Sequence, residues 1–198
     1  AATGISENYD LSLEERINLW GSNYEKCILS VGALSPQKNH ERLLRAFAKL
    51  PDSISAKLII LGEGDLRSFL ESLIEELNLT DSVSLPGFVE DPYPWFVTAD
   101  LFVLSSDWEG LPGVLIEALD SGLPIVSTDC NSGPSEILEE GKYGKLVPTE
   151  DVEALTNAIK TSLLEEHDKQ ALINRAKDFS LEKVSTEYLT YFGFNLKV

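Results

Sequence analysis

The 198-residue chain is 43% hydrophobic and carries a net charge of −17, enough apolar material for one domain with a core plus terminal segments. A surface so acidic repels phosphate backbones and anionic lipid, which argues against a nucleic-acid partner and against direct membrane binding by this chain. No apolar run nears the ~20 residues of a bilayer crossing, no secretory leader pattern is visible, and Cys27 and Cys130 make no metal cluster and point to a reduced, cytoplasmic setting.

In chain order, Ser12 and Glu15 are spaced as a capping box before a short helix holding Leu13, Ile17 and Trp20. With no methionine anywhere, Ala1 reads as a boundary cut within a longer chain. Short β-branched runs at 27–31, 57–61, 82–85, 101–104, 125–127 and 145–147 are the predicted strands. Helical spacing fills the gaps between them. Leu43, Leu44, Phe47 and Leu50 mark one helix, and Leu66, Phe69, Leu70, Leu73, Ile74 and Leu77 a second. Asp91-Pro92 reads as an N-cap followed by a first-turn proline. Leu111-Pro112-Gly113 opens a helix carrying Val114, Leu115, Ala118 and Leu119, with Pro112 at its first position. Thr149 is expected to cap a helix with Val152, Leu155, Ala158, Ile159 and Leu163.

Strands alternating with helices predict an α/β, Rossmann-like, doubly wound parallel sheet of about six strands. The domain itself spans 27–179, with a leading helix or linker at 1–26 and a terminal helix at 180–198. Leu181, Val184, Tyr188, Tyr191 and Phe192 give that last helix a large apolar load. It packs either on its own sheet or on a neighbouring domain.

Three segments invite chemical readings. Gly62-Glu63-Gly64-Asp65-Leu66-Arg67 begins like a dinucleotide fingerprint. Arg67 stands where the third glycine belongs, and no acidic residue closes a second strand, so a tight strand-to-helix turn is the better reading. The loop Gly32-Ala33-Leu34-Ser35-Pro36-Gln37-Lys38-Asn39-His40 puts a lysine at the carboxyl edge of the sheet, where it can meet phosphate. His40 reads as a surface helix residue and His167, in an acidic turn, as solvated. In the third segment, Glu109 lies in a loop and Glu117 two turns into the following helix. Between them the N–H groups of Leu111, Gly113 and Val114 open a helix N-terminus, which favours an anion. Glu117 falls in an apolar stretch, where an unpaired charge is costly.

The run from Glu109 to Glu117 resembles the glutamate–seven–glutamate motif of the family 4 retaining glycosyltransferases. The segments 31–38, 85–89, 122–129, 132–136 and 144–148 resemble further blocks of that family, in the same order and spacing. The resemblance implies the C-terminal half of a two-Rossmann-domain enzyme, one that moves a hexosyl-type sugar from a nucleoside-diphosphate donor with retention. UDP is favoured over GDP, and no metal or other cofactor is implied. By the same resemblance Lys38 would neutralise the leaving diphosphate and Glu109 would touch the sugar, these two being the catalytic candidates. Gly32, Phe88, Val89, Glu109, Gly110, Leu111, Pro112, Gly113, Val114 and Glu117 would hold the donor, with Glu117 on the ribose. Acceptor chemistry would lie on an N-terminal domain of the same parent chain, on which the terminal helix would dock. This chain alone would then be inactive, and the parent could work at the inner membrane face. One residue departs from the pattern: the family usually has arginine where this chain has Ala33. The alternative is therefore a Rossmann-like binding or structural domain that has lost donor chemistry.

Overall fold

The computed structural model describes residues 13–21 and 24–191. The expected Ser12 cap and the side chains of Tyr188 and Phe192 lie outside what it describes. In chain order the elements are α1 (Leu13–Trp20), β1 (Lys26–Val31), α2 (His40–Phe47), β2 (Ala56–Leu61), α3 (Arg67–Glu76), β3 (Val83–Gly87), α4 (Tyr93–Thr98) and β4 (Leu101–Leu104). They continue with α5 (Gly113–Asp120), β5 (Ile125–Thr128), α6 (Pro134–Ile137), β6 (Lys145–Val147), α7 (Val152–Leu164), α8 (Lys169–Ala176) and α9 (Leu181–Tyr191). Among the described residues the strands form one sheet in the order β3-β2-β1-β4-β5-β6, every pair parallel. The strand order reverses between β1 and β4, the position where open α/β sheets leave a crevice at their carboxyl ends.

The central strands β2, β1 and β4 are largely apolar because both faces of the sheet are covered there. Their side chains alternate between two cores. Ile28, Leu58, Ile60, Leu101 and Val103 pack under α2, α3 and α7. Leu29, Ile59, Leu61, Phe102 and Leu104 pack on the other face with Phe96, Leu115, Leu119 and Leu172. The pairings Ile28↔Leu101 and Leu29↔Phe102 carry this alternation from β1 to β4. Phe102 is fully buried and stacks on Phe96, ring centroids 5.5 Å apart.

Helix α1 packs against the second core. Trp20 is buried in the second core and its Nε1–H donates to Thr98 Oγ1 at 2.8 Å. Arg16 pairs with Asp100 at 2.7 Å, and the same carboxylate accepts the Cys27 N–H. At the other end of the chain Leu181 and Tyr191 of α9 are exposed.

Several local expectations need correcting. Asp151, not Thr149, caps α7, accepting the Ala154 N–H at 2.8 Å. Pro112 is extended (φ −70°, ψ 96°) and occupies the N-cap position of α5, so the helix proper starts at Gly113. Phe69 lies on the solvent side of α3. The turn after β2 is the tight one expected. Gly62 has φ +147°, and a Cβ there would lie 2.0 Å from the Gly32 carbonyl oxygen, so only glycine lets the β1 and β2 loops cross. Among the described residues no helix is long and apolar enough to cross a membrane.

Candidate functional site

The loops that follow β1 and β4 flank the switch point and are fastened to each other. Asn39 adopts a left-handed conformation (φ 43°) and caps α2 through the Arg42 N–H. Its Nδ2 also donates to Asp107 Oδ2 at 2.9 Å. Arg42, almost wholly buried, donates to Asp107 Oδ1 at 2.6 Å and to the Ser105 carbonyl at 2.9 Å. Ser105 Oγ returns a bond to the Lys38 carbonyl, and the Asp107 N–H donates to the Gln37 carbonyl. Charge-assisted bonding of this kind fixes geometry as well as adding stability. Neither Arg42 nor Asp107 stands out in the sequence. They are 65 positions apart, and only the Asn39 cap has a local signature.

This fastening brings Lys38 onto Glu109. The ammonium donates to Glu109 Oε1 at 2.6 Å, with the side chains 16% and 7% exposed. The Lys38 stem runs over Gly32, where a Cβ would meet Lys38 Cε at 2.9 Å. The loop carrying Glu109 is braced from the far side by Gly133 (φ +85°), where a Cβ would lie 2.2 Å from the Gly110 carbonyl oxygen. Ser132 Oγ donates to the Glu109 carbonyl at 3.0 Å.

Beyond the pair, α5 begins in the open. A Cβ at Gly110 or Gly113 would meet nothing within 4 Å, and Leu111 is exposed. The first N–H groups of a helix lack carbonyl partners inside it. One turn further, Glu117 points outward between the buried residues Ile116 and Ala118 rather than into the apolar layer. Its carboxylate has no hydrogen-bond or ion-pair partner among the described residues, and desolvation by its surroundings raises it above the usual carboxylate range.

Glu117 opens onto a cleft of about 470 Å³ at the carboxyl ends of β1, β2 and β3. Gly32, Ala33, Phe88, Val89 and Val114 line it with Glu117, and Phe88 is 77% exposed on its rim. The cleft thus gathers Gly32, Phe88, Val89, Val114 and Glu117. Lys38, Glu109 and the segment Gly110-Leu111-Pro112-Gly113 border it without lining it. Glu63 and Glu90 are the other charged groups in the lining, and among the described residues no lysine or arginine joins them. Arg67, nearby, is held by Glu63, Glu71 and the Leu85 carbonyl.

The two histidines differ from expectation. His40 is buried (2% exposed), its Nδ1 has no partner, and burial together with the charge of Lys38 lowers its pKa to about 4. His167 is half-buried, with Nε2 at 2.7 Å from the Ser162 carbonyl.

A family model described as Glycosyl transferases group 1 matches residues 15–179, which include every element from β1 to α8 and the whole cleft. The chain belongs to the group 1 glycosyltransferases. An N-acetylgalactosamine-N,N'-diacetylbacillosaminyl-diphospho-undecaprenol 4-alpha-N-acetylgalactosaminyltransferase of Campylobacter jejuni is 39% identical to it over 171 residues, which is 84% of this chain and 46% of that enzyme. An uncharacterized glycosyltransferase of Methanocaldococcus jannaschii is 35% identical over 193 residues, 81% of this chain and 48% of that protein. This glycosyltransferase chain therefore spans about half the length of those curated relatives. Among solved structures, a point mutant of S. aureus TarM, in complex with fondaparinux, alpha-GlcNAc-glycerol and UDP, superposes with a TM-score of 0.77 at 25% identity, over 85% of this chain and 35% of that one.

Proposed function

We propose that this chain is the donor-binding half of a retaining glycosyltransferase that takes its sugar from a nucleoside diphosphate, with UDP preferred. The observation that carries the reading is the unpartnered Glu117 carboxylate on the switch-point cleft, beside the open terminus of α5 and the Lys38–Glu109 pair. That TarM was crystallised with UDP supports it.

In this reading the base lies against Phe88 and Val89, and Glu117 accepts the ribose hydroxyls. The N–H groups of Gly113 and Val114 face the diphosphate, with the Gly110–Gly113 backbone around the sugar. An anion at a helix N-terminus is favoured by both the free donors and the helix dipole. Lys38 turns from Glu109 to the departing diphosphate and stabilises the charge that develops there, and Glu109, so released, accepts sugar hydroxyls. The chemistry asks for no metal or other cofactor. The acceptor is held by an N-terminal domain of the same parent chain, on which α9 docks, so the chain alone binds donor without turning it over. The parent works in the cytoplasm or at the inner membrane face.

A second reading, a binding or structural domain without donor chemistry, is favoured by one observation: Ala33 and a cleft whose charged lining is all carboxylate. Calorimetric titration with UDP, GDP and ADP separates the two. The donor reading expects selective UDP binding, weakened roughly tenfold or more by Glu117→Ala and by Lys38→Ala, as for loss of a hydrogen bond to a charged group. Absence of binding by any of the three nucleotides in a folded sample contradicts it and leaves the second reading.

A further inference from the structure

Glu109 is held by more than Lys38. Ser106, with no solvent exposure, donates its hydroxyl to Glu109 Oε1 at 2.6 Å, the same oxygen that takes the Lys38 ammonium. Oε2 has no hydrogen-bond or ion-pair partner among the described residues. Ser106 is itself immobilised, because the buried Thr128 hydroxyl donates to its carbonyl at 2.6 Å. Loading one oxygen from two sides fixes the plane of the carboxylate and leaves the other oxygen available to a ligand.

The two donors are not equivalent. An ammonium on a four-carbon stem is a compact charge with rotatable donors and orients a partner poorly. A hydroxyl three residues away, on a loop tied to β5, has one short reach and one direction. Lys38 must also leave Glu109 if it is to meet a diphosphate, whereas Ser106 can stay. While Lys38 is engaged elsewhere, the serine is then the group that keeps Glu109 in place.

We propose that Ser106 is a positioning residue that acts through Glu109 to set recognition of the sugar portion of the donor. The inference rests on the donor-binding reading above, specifically on Glu109 facing the sugar. A nucleotide alone ends at the diphosphate and does not draw on the free oxygen of Glu109, so the serine matters for sugar nucleotides and little for UDP.

The test is calorimetric titration of the 198-residue chain with UDP, UDP-glucose and UDP-N-acetylgalactosamine, in four forms: native, Ser106→Ala, Glu109→Ala and the double variant. Ser106→Cys is a fifth, filling the space while offering only a weak donor. Ser106→Ala and Ser106→Cys should each weaken the better-bound sugar nucleotide about tenfold and shift UDP by no more than about twofold. In the Glu109→Ala background, Ser106→Ala should add nothing, since a residue that acts through another has no effect once that other is gone. Equal losses for UDP and sugar nucleotide, no loss at all, or losses that add in the double variant overturn the role of Ser106. If Glu109→Ala itself binds both sugar nucleotides as the native chain does, the assignment of Glu109 falls, and with it the reading on which the inference rests.

Discussion

At the scale of single residues, burial decides which charges this chain can carry. His40 lies two positions from Lys38, buried, with Nδ1 unpartnered and a pKa lowered to about 4 from its ordinary 6.5. Because the folded value is below the unfolded one, the unfolded chain takes up the proton first. Stability is therefore fully present above pH 6.5 and is lost as pH falls from there towards 4. By pH 5 the loss from this group amounts to about 2 kcal/mol. Urea unfolding at pH 7 and pH 5 should show that difference in the native chain and a much smaller one in His40→Leu, and an equal difference in both would remove His40 as the cause. The sequence offers no warning of this burial: Lys38, Asn39 and Glu41 around it are polar, and a helix start is ordinarily wet. The same holds for Asp107 and Arg42, whose loops meet only once the sheet has formed, whereas Ser106 reaches Glu109 within one loop, three positions along the chain. Glu109 and Glu117 could be singled out because spacing and a glycine-rich turn bracket them, but the capture of Lys38 by Glu109 is a contact across 71 positions that no local pattern encodes.

At the scale of elements, legibility is much better. The inner strands are short, largely apolar runs enclosed on both faces, so composition separates them from their flanks, while the edge strands β3 and β6 are more mixed and more exposed. Every predicted strand lies within two residues of the observed bounds. Helix starts fared worse. Thr149 and Asp151 are both able caps, and the choice between them depends on where α7 meets the sheet. Burial of the strands also predicts where the fold is most sensitive. Phe102 in β4 is fully enclosed between Phe96 and the second core, next to the loop that carries Glu109. Phe102→Ala should cost about 3–5 kcal/mol in chemical denaturation, the range for removing a large buried aromatic. A cost under about 1 kcal/mol would mean that this layer is looser than its packing indicates.

For the molecule as a whole, the parallel sheet, its switch point and the group 1 family are settled, while the occupant of the cleft is the claim that needs a direct test. The chain carries a net charge of −17, and the charged groups lining the cleft are carboxylates, so an anionic ligand has to be drawn in by groups at its border, chiefly Lys38 and the open end of α5. Backbone amide shifts in a two-dimensional NMR titration with UDP would locate the occupant residue by residue. The account predicts changes concentrated at residues 32–38, 87–89 and 110–117, with the rest of the sheet quiet. Shifts centred instead on the opposite edge, around Lys142, Lys145 and His167 where a second hollow lies, would contradict it, as would a spectrum that UDP leaves unchanged.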